Sequence, residues 1–210
     1  MPGAPAVPVA RAVSLAPPLP ACTYVDTVTP LRAYSAWRSV IVDTRLALPR
    51  SYVPPDLVST GLLGDSGERL RAIVMPDLRA MVRTARAAGV RIRVGSGYRS
   101  YAEQVTMYRD YVARLGVAAA RIRVARPGHS EHQLGTALDL AYLSSNAWAA
   151  AHAWQFGFVI SYPRNAIAVT CYRYEPWHLR YVGRARAAAV HASGLALRVW
   201  LWLHVPAARA

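Results

Sequence analysis

Residues 130–139 read Ser-Glu-His-Gln-Leu-Gly-Thr-Ala-Leu-Asp, with six residues and one glycine turn between His132 and Asp139. Zinc accepts histidine nitrogen and carboxylate oxygen, and a catalytic site keeps three protein ligands and one open position. The apolar run 136–140 has the content of a strand, so Asp139 is expected at its end, with His132 approaching from the preceding loop. A second string, Glu175-Pro-Trp-His178, brings another histidine and another acid from a different strand end. A glutamate that does not bind the metal can take a proton from a zinc-activated water, whose pKa falls from ~15.7 to about 7. On spacing alone, these four residues read equally well as polar groups hydrogen-bonded along a core edge.

Outward from this stretch the pattern mixes strands and helices without a regular strand–helix–strand alternation, which favours an α+β class. Residues 68–88 carry apolar side chains at helical spacing and stop at Gly89, with Pro76 predicting a kink or a break. Residues 90–94 alternate as a half-buried strand, and 101–115 is a helix closed by Gly116. Strands are expected at 156–161 and 169–174, and helices at 146–155, 180–192 and 195–204. Between 24 and 65 the prolines leave loops, a short helix near 31–40 and a strand near 40–48. Residues 1–23 read as a proline-rich tail or linker preceding a single domain over 24–210.

All 25 basic residues are arginine, against 11 acids, for a net charge of +14. They are spread along the chain without a basic run. This predicts long-range attraction to anionic wall polymers or a membrane surface and no specific nucleic-acid site. Cys22 and Cys171 stand far apart, outside any CxxC pair, and one disulfide in an exported protein is the more attractive reading. No run of 18 apolar residues occurs, and the first 21 residues lack the pattern of an export signal. The apolar segment 195–205 is read as a helix packed on the domain in preference to an interfacial anchor.

The strings become specific when read whole. Residues 130–139 fit SxHxxGxAxD, residues 175–178 fit ExWH, and Ser96-Gly-Tyr98-Arg99-Ser with Gln104 adds a third block. In this order they resemble the VanY-type D-alanyl-D-alanine carboxypeptidases, zinc enzymes related to the D-Ala-D-Ala dipeptidases and the Hedgehog N-terminal domain. The resemblance spans roughly Tyr24 to the C-terminus, with its motifs in 95–178. It implies a small, mostly antiparallel sheet flanked by helices. It also implies one Zn2+ on His132, Asp139 and His178, Glu175 as general base, and Arg99 stabilising the oxyanion.

Ser130, Ser96, Gln104, Tyr98 and Trp177 are the substrate-contact candidates it implies. Ser130, Ser96 and Gln104 read equally as turn or helix-cap residues, and Trp177 as core packing. Glu131 is expected to face solvent, His129 to be a loop histidine, and His152, His191 and His204 to lack functional partners. The implied reaction is removal of the terminal D-alanine from peptidoglycan stem peptides by a monomer acting outside the cytoplasm. L,D-carboxypeptidase action on the tetrapeptide is the nearest alternative. A non-catalytic zinc-containing wall-binding module is the rival from another class, and an intact Glu175 argues against it.

Overall fold

The computed structural model describes residues 16–28, 34–65 and 67–208. In chain order these form β1 (Thr27–Val28), β2 (Leu46–Ala47), β3 (Leu57–Ser59), β4 (Arg69–Arg71), α1 (Met75–Ala87) and β5 (Val94–Ser96). There follow α2 (Tyr101–Leu115), α3 (Val117–Ala120), β6 (Ala137–Leu140), α4 (Asn146–His152) and β7 (Phe158–Ile160). The chain continues through α5 (Ile167–Thr170), β8 (His178–Tyr181), α6 (Arg184–Ser193) and α7 (Leu197–His204). The main sheet is antiparallel, in the order β5-β6-β8-β7, with β1–β2 and β3–β4 as small separate pairs. The class is the expected α+β.

The register of β6 and β8 decides where the polar residues go. Leu138 pairs with Leu179 and Asp139 with His178. Successive side chains of a strand point to opposite faces, and directly opposed pairs share a face. Both leucines are fully buried in the principal core, with Leu78 and Met81 of α1, Val94 of β5 and Phe158 of β7. Asp139 and His178 therefore emerge together on the other face. A second apolar cluster joins α6 and α7 through Val190, Leu197 and Leu201 to Val159 and Val182.

Several element boundaries differ from the sequence pattern. The expected 68–88 helix is β4, one turn of 3-10 helix at Ala72–Val74, and then α1. Pro76 lies in the first turn of α1, where its missing N–H removes no intrahelical bond, so it starts the helix and does not kink it. The 90–94 strand begins only at Val94. The expected 169–174 strand is instead the end of α5 followed by Cys171 at φ 71, a left-handed stop that breaks an extended run. Residues 180 and 181 belong to β8, and helix begins at Arg184 after Gly183. The 40–48 strand shrinks to β2. Of the 31–40 helix a short 3-10 turn at Tyr34–Arg38 remains, while 31–33 lie outside the described residues.

Segment 16–22 lies along the C-terminal helix. Trp202 Nε1 donates to Pro17 O at 2.6 Å and Arg198 Nη2 to Pro20 O at 3.0 Å. Cys22 is disulfide-bonded to Cys171, as the cysteine count suggested. Among the described residues no helix is long and apolar enough to cross a membrane.

Candidate metal centre and active-site cleft

Ser130 opens the turn that carries His132. Its Oγ accepts from His132 N at 3.3 Å, and residues 131–134 form a 3-10 turn closed by Gly135 at φ 69. A Cβ at Gly135 would press on Arg71, Leu57 and Pro54, so the position also demands a bare backbone. The turn delivers His132 to the face where β6 and β8 present Asp139 and His178.

His132 Nε2 stands 3.3 Å from Asp139 Oδ2, and His178 Nδ1 stands 3.0 Å from Asp139 Oδ1. One donor atom from each of the three lies within 4.8 Å of the other two. The second nitrogen of each ring is fixed from behind. His132 Nδ1–H donates to Gly97 O at 2.7 Å, and His178 Nε2–H donates to Glu131 Oε2 at 3.1 Å. Such partners set the tautomer and ring orientation of histidines that bind metal. The donor set and its outer partners fit a zinc ion.

Glu131, expected in solvent, is buried instead. Its carboxylate also accepts from Ser161 Oγ at 2.6 Å and from Arg180 Nη1 at 2.8 Å. Arg180 is fully buried and also donates to Trp37 O and Val40 O. Burial would raise the Glu131 carboxyl, but Arg180, His178 and Ser161 bring it down to about 2. Burial likewise opposes charge on Asp139, yet His132 and His178 hold it well below the carboxylate range. Between two such carboxylates, and against burial, His178 is pushed up to about 10. Metal binding at this ring therefore displaces a proton.

Glu175 behaves oppositely. It precedes His178 by one turn, with His178 N donating to Glu175 O at 3.2 Å, and its side chain lines the same cleft. Burial raises its carboxyl to about 7; His178 opposes this, and the charges of Asp139 and Glu131 add to it. A carboxylate with that pKa is suited to general base work near neutrality.

Arg99 Nη2 donates to Ser96 Oγ at 2.8 Å and Nη1 to Gln104 Oε1 at 3.0 Å, which leaves the guanidinium 4.0 Å from Asp139. Gln104 is itself buried and gives its amide to Ala125 O at 2.7 Å. Ser96 and Gln104 thus support Arg99, and neither is among the residues that line the cleft. Tyr98 also stays outside it, with its backbone N–H on Arg69 O and the Arg69 guanidinium 5.6 Å from its ring centre. Ser130 and Trp177 do line it, and Trp177 packs on the principal core as well. His129 is buried, between Asp43 O and Asp26.

The cleft, of about 150 Å³, is completed by residues the sequence did not single out. Met107 and Tyr111 come from α2, Arg123 follows α3, and Tyr172 lies 5.0 Å from Tyr162, ring centre to centre. Tyr162 lies 4.9 Å from the His178 ring, centre to centre. Glu131, behind His178 and outside the cleft lining, stood inside the motif beside a ligand, but nothing in the sequence marked it as buried. Arg180 was hidden by the reading of 180–192 as a helix.

The family model described as VanY, D-alanyl-D-alanine carboxypeptidase, matches residues 67–184. The chain belongs to the VanY family. That match contains the three histidine and aspartate donors, Glu175 and Arg99. The chain is similar to a putative carboxypeptidase, YodJ of Bacillus subtilis, at 34% identity over 175 residues, covering 75% of this chain. It spans 64% of that relative's length.

Among solved structures, the LdcB LD-carboxypeptidase has a TM-score of 0.71 at 33% identity, over 76% of this chain and 83% of its own. The D,D-pentapeptidase VanY of the VanB-type vancomycin-resistance cassette, solved as a mutant in complex with Zn(II), has a TM-score of 0.70 at 34% identity. That match covers 79% of this chain and 99% of the other.

Proposed function

We propose that this chain is a zinc-dependent carboxypeptidase that removes the terminal D-alanine from peptidoglycan stem peptides. The observation that carries the reading is one cleft holding three convergent metal donors and, beside them, a carboxyl raised to about 7. His132 would offer Nε2, Asp139 a carboxylate oxygen and His178 Nδ1. Zinc bound there supplies Lewis acidity to the scissile carbonyl and makes a nearby water acidic.

The chain's own residues do the rest. Glu175 takes a proton from the attacking water and returns it to the departing amine. Arg99, pinned by Ser96 and Gln104, meets the negative charge that develops on the carbonyl oxygen. Ser130 hydrogen-bonds the terminal carboxylate, and Trp177 walls the reacting end of the peptide. Glu131, backed by Arg180, holds His178 so that Nδ1 faces the metal. The disulfide supports a place of action in an oxidising compartment outside the cytoplasm.

The similarity to LdcB, close to that with the D,D-enzyme, favours one second reading, L,D-cleavage of the tetrapeptide. Mass spectrometry of purified stem pentapeptide and tetrapeptide, with and without a chelator, separates the two. Loss of one D-alanine from the pentapeptide, abolished by the chelator, is the expected result. Tetrapeptide cleavage alone would replace the D,D-assignment with the L,D one.

Glu175→Ala is expected to retain zinc and lose at least ~10²-fold in kcat. Because the base works only when deprotonated, kcat/KM of the wild type should fall as pH drops below about 7. Undiminished D-alanine release by the variant would remove Glu175 from the mechanism.

A further inference from the structure

Arg123 enters the cleft from the turn after α3, away from the elements that carry the metal donors. It is half-buried, and its Nη1 donates to Ala119 O at 2.8 Å. Among the described residues no carboxylate lies within 4.0 Å of it, whereas the other cleft arginine, Arg99, faces Asp139. The buried arginines 180 and 198 are likewise matched, to Glu131 and Asp43.

The cleft's own acids, Asp139 and Glu175, are committed to the metal and to the proton. A guanidinium with one nitrogen fixed on a backbone carbonyl keeps donors free in a planar fork suited to a carboxylate. Met107 and Tyr111 line the cleft alongside it, on a wall of side chains that pack against a ligand without competing for its charge. Partial burial strengthens such a pair relative to one in open water.

We propose that Arg123 is a recognition site for a second carboxylate of the peptide substrate, carried by the residue upstream of the two terminal alanines. The proposal rests on the carboxypeptidase reading above, in which Arg99 and Ser130 serve the reacting carbonyl and the terminal carboxylate. Arg123 then selects among peptides by a charge distant from the bond that breaks. A stem whose third side chain ends in an amine alone leaves this arginine unmatched. One whose side chain also bears a carboxylate satisfies it.

The test uses two synthetic pentapeptides, both with D-isoglutamine at the second position so that no other side carboxylate is present. One has L-lysine third and the other meso-diaminopimelic acid, which adds a carboxylate to the side chain. The zinc-loaded wild type is expected to show at least a tenfold higher kcat/KM for the carboxylate-bearing peptide. In Arg123→Gln that preference should collapse to less than threefold, chiefly through KM, while Arg123→Lys retains an intermediate preference.

No preference in the wild type, or the same preference in the wild type and Arg123→Gln, overturns the site. If the wild type cleaves neither peptide, the carboxypeptidase reading fails, and the same comparison is made on dissociation constants followed by tryptophan fluorescence. A tenfold weaker binding of the diaminopimelate peptide on Arg123→Gln then upholds the carboxylate site without the reaction. Equal binding by the two proteins overturns it.

Discussion

Glu131 and His132 are neighbours in the chain, yet they serve different rings. His132 faces Asp139, while Glu131 turns back to grip Nε2 of His178. One dipeptide thereby fixes both histidines, and Arg180 holds the dipeptide to the carbonyls of Trp37 and Val40. Outer partners of this kind are worth about 10–100-fold in metal affinity. Glu131→Ala is expected to lose zinc affinity by that factor in a chelator competition, with its folding followed by far-UV circular dichroism. A folded variant with wild-type affinity would show that His178 needs no orienter. The motif letters made the donors, Glu175 and Arg99 legible, because zinc chemistry restricts the residue types at those places. Glu131 was not legible, since a glutamate beside a turn is usually solvated and only tertiary packing buries it.

The helix α2 carries a capping box. Ser100 Oγ accepts from Glu103 N, and the Glu103 carboxylate accepts from Ser100 N at 2.7 Å. Because Arg99 directly precedes this cap and Gln104 lies one turn inside, the start of α2 sets where the guanidinium sits. Ser100→Ala is expected to cost about 0.5–2 kcal/mol in a denaturant titration. Its kcat should fall with KM changing less if Arg99 has its proposed role on developing charge; an unchanged kcat would separate the cap from the site. Helices with a clear stop, such as α2 before Gly116, were readable from the sequence. The strand β8 was not, because all four of its residues are buried and show no alternation, so they merge with the alanine-rich helix that follows. The reverse error at 169–174 arose because a β-branched and aromatic run predicts a strand until one residue, Cys171, takes a left-handed conformation.

At the scale of the molecule, the antiparallel sheet keeps its leucines on one face and its chemistry on the other, while the strap 16–22 ties the N-terminal side to α7. The disulfide closes a sequence separation of 149 residues, and cross-links of long loops contribute about 2–4 kcal/mol. Reduction, or Cys22→Ser, is expected to lower the unfolding free energy by an amount in that range, read from the midpoint of a denaturant titration without metal to isolate the bridge. An unmoved midpoint would mean that the strap's hydrogen bonds suffice. The distant cysteines were legible as a pair, but not the strap, since a proline-rich segment gives no periodic signal of what it lies against.

The position of Cys171 has a further consequence during synthesis. His132, Asp139 and Arg99 all precede it, whereas Glu175 and His178 follow it by a few residues. The bridge cannot close before Cys171 has been made, and by then only Glu175 and His178 of these five residues are still to come, within the next seven positions. The cysteine that permits the cross-link and the last two of these cleft residues are thus made at almost the same stage.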